Sequence, residues 1–499
     1  MLKKISLLFL FLNDFIFKEV AYANSISSEQ DKAPSIIDFI SSIVFWDDIL
    51  VFLFFLGNAF PVLHLLHCLP WFREKSEDVN RNVEIEKEKG ISIIVPCYNE
   101  QGIIGTSISS MKSLSYSQFE VIYINDGSTD ETLSILNKFL KLTPCSRSPL
   151  RKLSHKKVKN VYQSKLYPHI YVLDKTNGGK ADALNAGIEY SSQGLVITLD
   201  ADTILTDQAL SMINKTFEDK DVVAAGGVVH VLQTKTSKPL SYLSLLHANM
   251  LVRLQTLDFL KAFYVTKLSL ARFQALAVIS GAFGIFKKQA LLNVGGYRST
   301  IGEDIDITLR IHRYVSKHKN KKIALISEAV AYTELPENWK DFFKQRVRWQ
   351  KAFIDCVIHF RSFFCKTLFT KAVSFFYIFE SFIGRTITAY IMTSLFVINS
   401  IFNPFSSGIL HTITNLLYII LFHFMYNLVA IGVGKYYGFG FQKKDTFRLF
   451  FTILLDIFIY RFIIMYLVMY GSIAYFFNKD WNKVNRTGRD YQTDSKSVA

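Results

Sequence analysis

Cysteine is scarce in this sequence and is not spaced for a structural role. The chain holds five cysteines, an odd number, and no two of them form a CxxC pair. This pattern argues against a disulfide framework and a zinc site, and favours a reducing, cytosolic setting. Acids are also few, since 42 Asp and Glu face 57 Lys and Arg and leave a net charge of +15. Such an excess suits nucleic acid, an anionic membrane face or phosphorylated small molecules as partners.

Charge is missing altogether from several long apolar runs. Residues 49–69 contain no Asp, Glu, Lys or Arg and have about the length that a bilayer requires. The runs 386–404 and 409–434 are also uncharged, and 449–477 is similarly apolar apart from Asp456 and Arg461. The sequence therefore predicts a transmembrane helix at 49–69 and about three more within 386–477, preceded by interfacial helices over 356–385. Arg73 and Lys75 follow the first run, so the positive-inside rule places the chain after residue 75 in the cytoplasm.

The two ends of the chain leave alternatives open. Residues 1–23 join a basic start to an apolar segment, which fits either a signal peptide or a first transmembrane helix. The tail 478–499 is basic and favours the cytoplasm, whereas three preceding spans would place it outside. A membrane hairpin within 449–477, near Asp456 and Arg461, would reconcile the two.

Between the membrane segments, residues 88–355 follow a different pattern. Short apolar, β-rich runs alternate with helix-like segments, which indicates an α/β fold with a parallel sheet covered on both faces. The predicted strands are 91–96, 119–126, 170–174, 195–200 and 222–229. The predicted helices are 100–113, 130–141, 180–193 and 206–218. In such sheets, ligands bind beyond the carboxyl ends of the strands.

Polar residues fall at those strand ends. The first strand leads into Tyr98 and Glu100, the second into Asp126, and the fourth into Asp200 and Asp202. Each group alone fits a turn or a helix cap. All of them together, on successive strands of one sheet, favour a binding site.

The motifs also follow an order that is typical of one family. The chain carries VPCYNE, NDGSTDET, NGGKADALNAG, DAD, ISGAF, GEDID and QRVRW, in that order, between about 88 and 355. This set resembles the processive family 2 glycosyltransferases, an inverting group that includes cellulose, chitin, hyaluronan and poly-N-acetylglucosamine synthases. The resemblance implies a GT-A fold, in which a Rossmann-like sheet joins an acceptor subdomain and membrane helices flank both.

A nucleotide-sugar donor carries a diphosphate, whose charge a divalent cation would offset. Asp200 and Asp202 offer hard oxygen ligands for Mg²⁺ or Mn²⁺. The resemblance places Asp126 at the uracil and ribose and Tyr98 against the base, although Tyr98 could instead be a packing residue. Lys180 could meet phosphate or be an ordinary surface lysine. The predicted donor-binding residues are Tyr98, Glu100, Asp126, Lys180 and Asp200.

Transfer requires a base, because an alcohol is a poor nucleophile. The resemblance assigns the base to Asp304, with Glu303 beside it in the catalytic motif. The alternative is a helix N-terminus enriched in acids. Gly302 departs from the threonine that usually opens this motif. One displacement by one base inverts the anomeric centre, so an α-linked donor would give a β-linked product.

The QxxRW signature lies on a predicted helix just before the membrane. Trp349 offers a flat surface for the terminal sugar of a growing chain, and the same helix also suits the membrane interface. Glycine often follows this signature, but Gln350, Lys351 and Ala352 follow it here. Ser280 and Gly281 of the ISGAF motif would line the path of the acceptor, and the alternative is that they form a tight buried turn. The predicted acceptor-binding residues are Ser280, Gly281, Gln345, Arg348 and Trp349.

One stretch fits no motif. Residues 141–169 lengthen the link between two motifs and contain eight Lys and Arg but no acid. We expect a solvated, partly disordered insertion there. Contact with anionic lipid or a partner is the alternative, and nucleic acid is not expected because no recognition module accompanies the charge.

The sequence therefore predicts a multi-pass synthase of the bacterial inner membrane with a cytoplasmic catalytic domain. It would polymerise a UDP-sugar, with UDP-N-acetylglucosamine as the first choice, into a β-linked glycan and pass the product across the bilayer. The expected partners are the donor, the growing glycan, lipid and an accessory membrane subunit. One alternative is an enzyme that adds a single sugar to a membrane lipid. Another is a transporter or scaffold with a degenerate transferase domain.

Overall fold

The structure is a computed structural model that describes residues 59–70, 88–236, 242–391, 393–394 and 409–478. The predicted segment 1–23, the first part of 49–69 and most of the tail 478–499 lie outside the described residues. The strands are β1 Ile91–Cys97, β2 Phe119–Asn125, β3 Leu142–Pro144, β4 Val158–Ser164, β5 Ile170–Lys175, β6 Leu195–Leu199, β7 Ile204–Leu205, β8 Val222–Val231, β9 Tyr242–Leu243, β10 Phe283–Lys287, β11 Lys322–Thr333 and β12 Gly440–Phe441.

The helices of the sheet domain are α1 Ile104–Lys112, α2 Thr132–Leu140, α3 Lys180–Tyr190, α4 Ala209–Thr216, α5 Met250–Lys261, α6 Leu268–Arg272, α7 Lys288–Asn293 and α8 Glu303–Lys317. The later helices are α9 Trp339–His359, α10 Arg361–Thr367, α11 Ala372–Phe375, α12 Ile409–Tyr436, α13 Thr446–Leu455 and α14 Arg461–Phe477. Wider π-helical turns occupy Ala262–Lys267, Phe376–Ile387 and Asp456–Tyr460.

The parallel strands predicted from the apolar runs form the centre of a ten-stranded sheet. Its order is β3-β4-β5-β2-β1-β6-β10-β8-β11-β7. Strand β1 pairs in parallel with both β2 and β6, so Ile91 lies opposite Phe119 and Leu195. Residue Ile93 packs into the core on one face and Ile94 into the core on the other. Burial on both faces explains why these strands are continuously apolar.

The sheet as a whole is mixed rather than parallel. Strand β10 runs antiparallel between β6 and β8, and β11 returns parallel to β8. Strands β4 and β5 are joined by residues 165–169, which are too few for a crossover, so they pair antiparallel. The predicted α/β fold is confirmed, and within this ten-stranded sheet the parallel pairs are β5–β2, β2–β1, β1–β6 and β8–β11.

The insertion at 141–169 is ordered, so the expectation of partial disorder was wrong. It contributes β3 and β4 to the edge of the sheet. The hydroxyl of Ser164 donates to the carbonyl of Leu140 at 2.6 Å, which ties the end of β4 to α2. Leu153 is buried in the hydrophobic core on the face of the sheet that also buries Ile94. The number of charges does not reveal anchors such as Ser164 and Leu153. These residues hold the segment in place while its lysines face solvent.

The C-terminal helices do not contain the chain reversal that a membrane hairpin within 449–477 would require. Residues 443–477 form a continuous helical stretch, and within the described ranges it alone is long and apolar enough, by length and composition, to cross a membrane. Asp456 marks a π-helical turn, not a reversal of the chain. Its carboxylate is buried and accepts from Lys261 Nζ at 2.7 Å and from Asn427 Nδ2 at 3.0 Å. Paired in this way, a charge can stay inside an apolar helix without breaking it.

Candidate active site

The loops after β1 and β2 are joined by hydrogen bonds. The amide of Asn99 donates to Ser128 Oγ at 3.0 Å, and Asn99 Oδ1 accepts from the amide of Thr129 at 2.8 Å. The amide of Glu100 donates to Thr132 Oγ1 at 2.8 Å. Asn99 adopts a left-handed conformation with φ of 55°, which turns the chain sharply. As a result, Tyr98 stands at the carboxyl end of β1 with 37% of its surface exposed.

Asp126 holds together the loop that follows β5. Its carboxylate is buried and accepts from Lys175 Nζ at 2.6 Å and from the amides of Gly178 at 3.0 Å and Gly179 at 2.7 Å. Asn177 Nδ2 donates to the carbonyl of Asp126 at 2.8 Å. Both carboxylate oxygens are therefore engaged within the protein. The direct contribution of Asp126 is to shape the Gly-Gly turn that leads into α3.

Lys180 joins three elements of the sheet domain at a single point. It begins α3, and its Nζ lies 2.8 Å from Asp200 Oδ1, at the end of β6, and 2.9 Å from Glu303 Oε1, at the start of α8. Burial lowers the pKa of the ammonium, but the two carboxylates raise it well above its ordinary value. Lys180 is thus a charged member of the site, not an isolated surface lysine.

Asp304 lies next to this cluster. Its Oδ2 accepts from the amide of Gly281 at 3.3 Å, and its Oδ1 accepts from the amide of Ile305 at 2.8 Å. Burial and the neighbouring Glu303 raise the pKa of Asp304, which suits a group that must take up a proton. A Cβ added to Gly281 would lie 3.2 Å from Lys180 Nζ and 3.5 Å from Asp304 Cβ. Glycine therefore keeps this approach clear.

The predicted metal ligands Asp200 and Asp202 lie on one turn, which the amide of Thr203 closes by donating to the carbonyl of Asp200 at 3.0 Å. Asp202 is 2% exposed, and its Oδ1 accepts from Thr203 Oγ1 at 3.2 Å. In the part of the chain that the structure describes, no group of three or more His, Cys, Asp or Glu residues is arranged so that it could hold a metal ion by itself. Asp200 already faces a cation, the Lys180 ammonium. A divalent ion held by the two carboxylates of this turn would draw its other ligands from substrate and water.

The signature helix, α9, begins at a well-formed cap, because Asn338 Oδ1 accepts from the amide of Asp341 at 2.9 Å. Trp349 is 38% exposed, and the guanidinium of Arg346 lies 4.5 Å from its ring centre. Arg346 is in turn paired with Asp258 on α5 at 2.8 Å. This contact fixes one face of the indole and leaves an aromatic surface in reach of a ligand.

Gln345, one turn before Trp349, has a buried Oε1 without a hydrogen-bond partner among the described residues. Buried acceptors of this kind are rare in folded proteins and call for an explanation such as a ligand. Arg348 lies on the same helix and is half-buried, as is Ser280 at the turn before β10. The structure brings Lys180, Asp200, Glu303, Asp304 and Gly281 together. It places the QxxRW residues on the adjoining helix, α9.

Two family models match the chain. One, described as Glycosyl transferase family 2, covers residues 92–294. The other, described as Glycosyl transferase family group 2, covers residues 195–478, which is more than half of the 499 residues. The chain belongs to glycosyl transferase family group 2. Both matched ranges include the Asp200 turn, so the family assignment and the site coincide.

Similar proteins include two bacterial synthases. The chain is 28% identical over 306 residues to a poly-β-1,6-N-acetyl-D-glucosamine synthase of Staphylococcus epidermidis, covering 60% of this chain and 64% of that one. It is 29% identical over 298 residues to a synthase of the same name from Staphylococcus aureus, covering 60% and 61%. The matched part thus spans under two thirds of the length of these relatives.

A solved structure supports the fold of this glycosyltransferase. The mannosyltransferase PcManGT from Pyrobaculum calidifontis, in complex with GDP-Man and Mn²⁺, matches with a TM-score of 0.52 at 15% identity. The match covers 77% of this chain and 97% of that chain. At this identity the likeness concerns the fold alone, and it confirms the predicted GT-A class.

The glycosyltransferase departs from its family pattern at Gly302 and in the residues after Trp349, and the structure shows what Gly302 and Gln350 face. A Cβ on Gly302 would lie 2.5 Å from the Cβ of Ala352 on the signature helix. A Cβ on Gly471 would lie 2.8 Å from the Cβ of Gln350. Gln350 Nε2 also donates to Ser472 Oγ at 2.9 Å. Each unusual residue is therefore matched to a small residue on a neighbouring element.

Sequence reasoning missed three charged residues at this glycosyltransferase site. Lys175 is fully buried and pairs with Asp126. The sequence could have indicated this role, because Lys175 ends an apolar strand, β5, that neighbours β2. Burial lowers the pKa of Lys267 to about 8, and its charge acts on Asp304. Arg346 orients Trp349 from inside the signature itself. In the sequence, only its position inside the QxxRW motif could have pointed to Arg346. Nothing in the sequence pattern around Lys267 pointed to a place in the site.

Proposed function

We propose that this chain is an inverting, processive glycosyltransferase that polymerises a UDP-sugar into a β-linked polysaccharide. The observation that carries the proposal is the convergence of Lys180, Asp200 and Glu303, with Asp304 alongside, beyond the carboxyl ends of the strands. Three elements supply these groups, and together they provide a cation, two anions and a base within one site. Similarity to the poly-β-1,6-N-acetyl-D-glucosamine synthases supports UDP-N-acetylglucosamine as the first donor to test.

The donor would lie between the Tyr98 loop and the start of α3. Tyr98 offers an exposed ring for the base, and the Gly-Gly turn that Asp126 shapes would bring the N-terminus of α3 near the phosphates. Asp200 and Asp202 would hold Mg²⁺ or Mn²⁺, which supplies Lewis-acid stabilisation of the departing diphosphate. Lys180 would then turn its charge from Asp200 and Glu303 toward the phosphates.

Asp304 would act on the acceptor. Its carboxylate takes the proton of the acceptor hydroxyl while the oxygen of that hydroxyl attacks the anomeric carbon and the bond to UDP breaks. The raised pKa of Asp304 makes the carboxylate a better proton acceptor than an ordinary aspartate. A single displacement inverts the configuration, so the product is β-linked.

The signature helix would hold the end of the growing glycan. Trp349 supplies an aromatic surface that Arg346 fixes from one side, and Gln345 carries a buried acceptor suited to a sugar hydroxyl. The apolar stretch 443–477 packs beside this helix and exposes Phe447, 81% accessible, toward its surroundings. This apolar stretch supports the further proposal that the enzyme is a multi-pass protein of the bacterial inner membrane that passes its product across the bilayer, with an accessory membrane subunit as a partner.

The test is a product assay on purified membranes that contain the protein. Membranes are incubated with a panel of labelled UDP-sugars and Mg²⁺ or Mn²⁺, and products are sized on gels. We expect one UDP-sugar to give long chains, and membranes with Asp304→Asn to give none. Labelled lipid carrying a single sugar would support the alternative, a transferase with a membrane lipid as acceptor. No incorporation from any UDP-sugar would refute both.

A further inference from the structure

The insertion includes a segment that lies along the whole of α3. We name residues 150–157 the strap. At the far end of α3, the amides of Lys152 and Leu153 donate to Glu189 Oε1 at 2.8 Å and 2.6 Å. At its middle, Asn185 Nδ2 donates to the carbonyl of Ser154 at 3.3 Å. The buried side chain of Leu153 anchors this part of the strap in the core.

The other end of the strap reaches the start of α3 through Lys156. The amide of Lys156 donates to Asp182 Oδ2 at 2.9 Å and to Oδ1 at 3.2 Å. Its side chain extends further, and Nζ donates to the carbonyl of Asn177 at 2.7 Å. One exposed lysine thus contacts both the first turn of α3 and the loop that precedes it.

Both contacts of Lys156 lead to Asp126. Asp182 Oδ1 lies 2.5 Å from Lys175 Nζ, which in turn lies 2.6 Å from Asp126 Oδ1. Asn177 Nδ2 donates to the carbonyl of Asp126 at 2.8 Å. Lys156 therefore completes a closed ring of polar contacts around the carboxylate that shapes the Gly-Gly turn.

We propose that Lys156 is a positioning residue through which the strap holds the Asn177–Gly179 loop closed on Asp126 before the nucleoside diphosphate sugar arrives. The inference rests on the proposed function, because the loop matters for the reaction only if it receives a donor phosphate. Lys156 acts through Asn177 and Asp182 and does not reach the reacting atoms. The extra residues of the insertion then serve to preorganise the donor site.

Loss of the Lys156 side chain leaves the carbonyl of Asn177 to water and frees the loop. One such hydrogen bond shifts an equilibrium by roughly 3- to 10-fold. In Lys156→Ala we expect the KM for the donor to rise by up to that factor, because apparent affinity follows the fraction of closed loop, while kcat at saturating donor stays unchanged. Lys156→Arg keeps a cationic donor of similar length and should restore the KM. Lys159→Ala removes another exposed lysine of the insertion and is the matched control.

A second measurement does not depend on turnover. The amides of Gly178 and Gly179 donate to Asp126, so their hydrogen exchange reports directly on closure of the loop. In the donor-free, full-length protein, Lys156→Ala should speed their exchange by roughly 3- to 10-fold. Lys156→Arg and Lys159→Ala should leave it close to wild type.

The outcomes separate this inference from the proposed function. A wild-type protein that consumes no UDP-sugar refutes the proposed function, and the exchange rates still decide whether the strap closes the loop. Unchanged exchange in Lys156→Ala overturns the inference whatever the kinetics. A lower kcat at unchanged KM also overturns it, because that result indicates a smaller folded fraction and not a looser donor site.

Discussion

Replacing Asp304 with asparagine separates a catalytic role from a structural one. The substitution keeps the size of the side chain and one acceptor oxygen but removes the group that takes the proton. Loss of a positioned base costs about 10²–10⁴-fold in rate, which corresponds to ~2.7–5.5 kcal/mol of transition-state free energy. We expect donor binding to change little, because the ring around Asp126 and the Asp200 turn remain intact.

The same variant, Asp304→Asn, should lose activity without losing thermal stability. Because folding raises the pKa of Asp304, the folded protein binds this proton more tightly than the unfolded chain does. Stability from this group is therefore fully present below the ordinary pKa of aspartate and is lost as the pH rises through the raised value. At neutral pH the ionised carboxylate opposes folding, so Asp304→Asn should leave the midpoint of thermal unfolding unchanged or higher.

The measurements are polymer synthesis, donor binding by calorimetry and thermal unfolding on the same detergent-purified preparations. The competing interpretation treats Asp304 as a helix N-terminal acid that stabilises α8 by ~0.3–1 kcal/mol. That interpretation predicts a lower unfolding midpoint together with partial activity. Near-normal polymer synthesis by Asp304→Asn, or a loss of activity that merely follows a loss of fold, would show that the base has been assigned to the wrong residue.

Three further predictions test other parts of the site. Asp202→Asn, or chelation of divalent cations in the wild type, should abolish transfer without loss of expression, and full activity in excess EDTA would contradict the metal role. Trp349→Ala should shorten the polymer while slow hydrolysis of the UDP-sugar survives, and full-length chains from this variant would favour the single-addition alternative. Gly302→Thr should lower the unfolding free energy by ~1–3 kcal/mol, because its Cβ would meet Ala352 at 2.5 Å; Ala352→Gly in the same chain should restore the midpoint, and failure of this rescue would refute the steric explanation.

The local pattern of apolar and polar residues predicted the strands and helices that have one face or both faces buried. The first two predicted strands end within one residue of β1 and β2, because continuous apolar runs bounded by polar turns have few alternatives. The helix predicted at 180–193 ends at Tyr190, since the chain turns extended at Ser191. What pattern could not supply was the pairing of β10 between β6 and β8, which depends on contacts far apart in sequence.

The candidate site was predicted residue by residue, but its connections were not. The motifs supplied Lys180, Asp200 and Asp304, yet they did not indicate that Lys180 bridges two carboxylates from different elements. Asp126 was expected to contact the nucleotide directly, and that role stays a prediction. Its oxygens accept from Lys175 and from backbone amides. A buried polar network of this kind is set by three-dimensional packing and leaves no periodic signal in the chain.

The insertion shows why charge composition misleads about order. Eight positive charges without an acid indicate a solvated segment only if the segment supplies no anchors of its own. Here the acids that it needs lie elsewhere, at Asp182 and Glu189 on α3, and both accept backbone amides of the strap. A segment that looks unbalanced by itself is balanced once the fold brings it to α3. For the same reason, the order of the strap and the geometry of the donor loop depend on each other. A substitution at Lys156 therefore tests whether the strap and the loop are coupled.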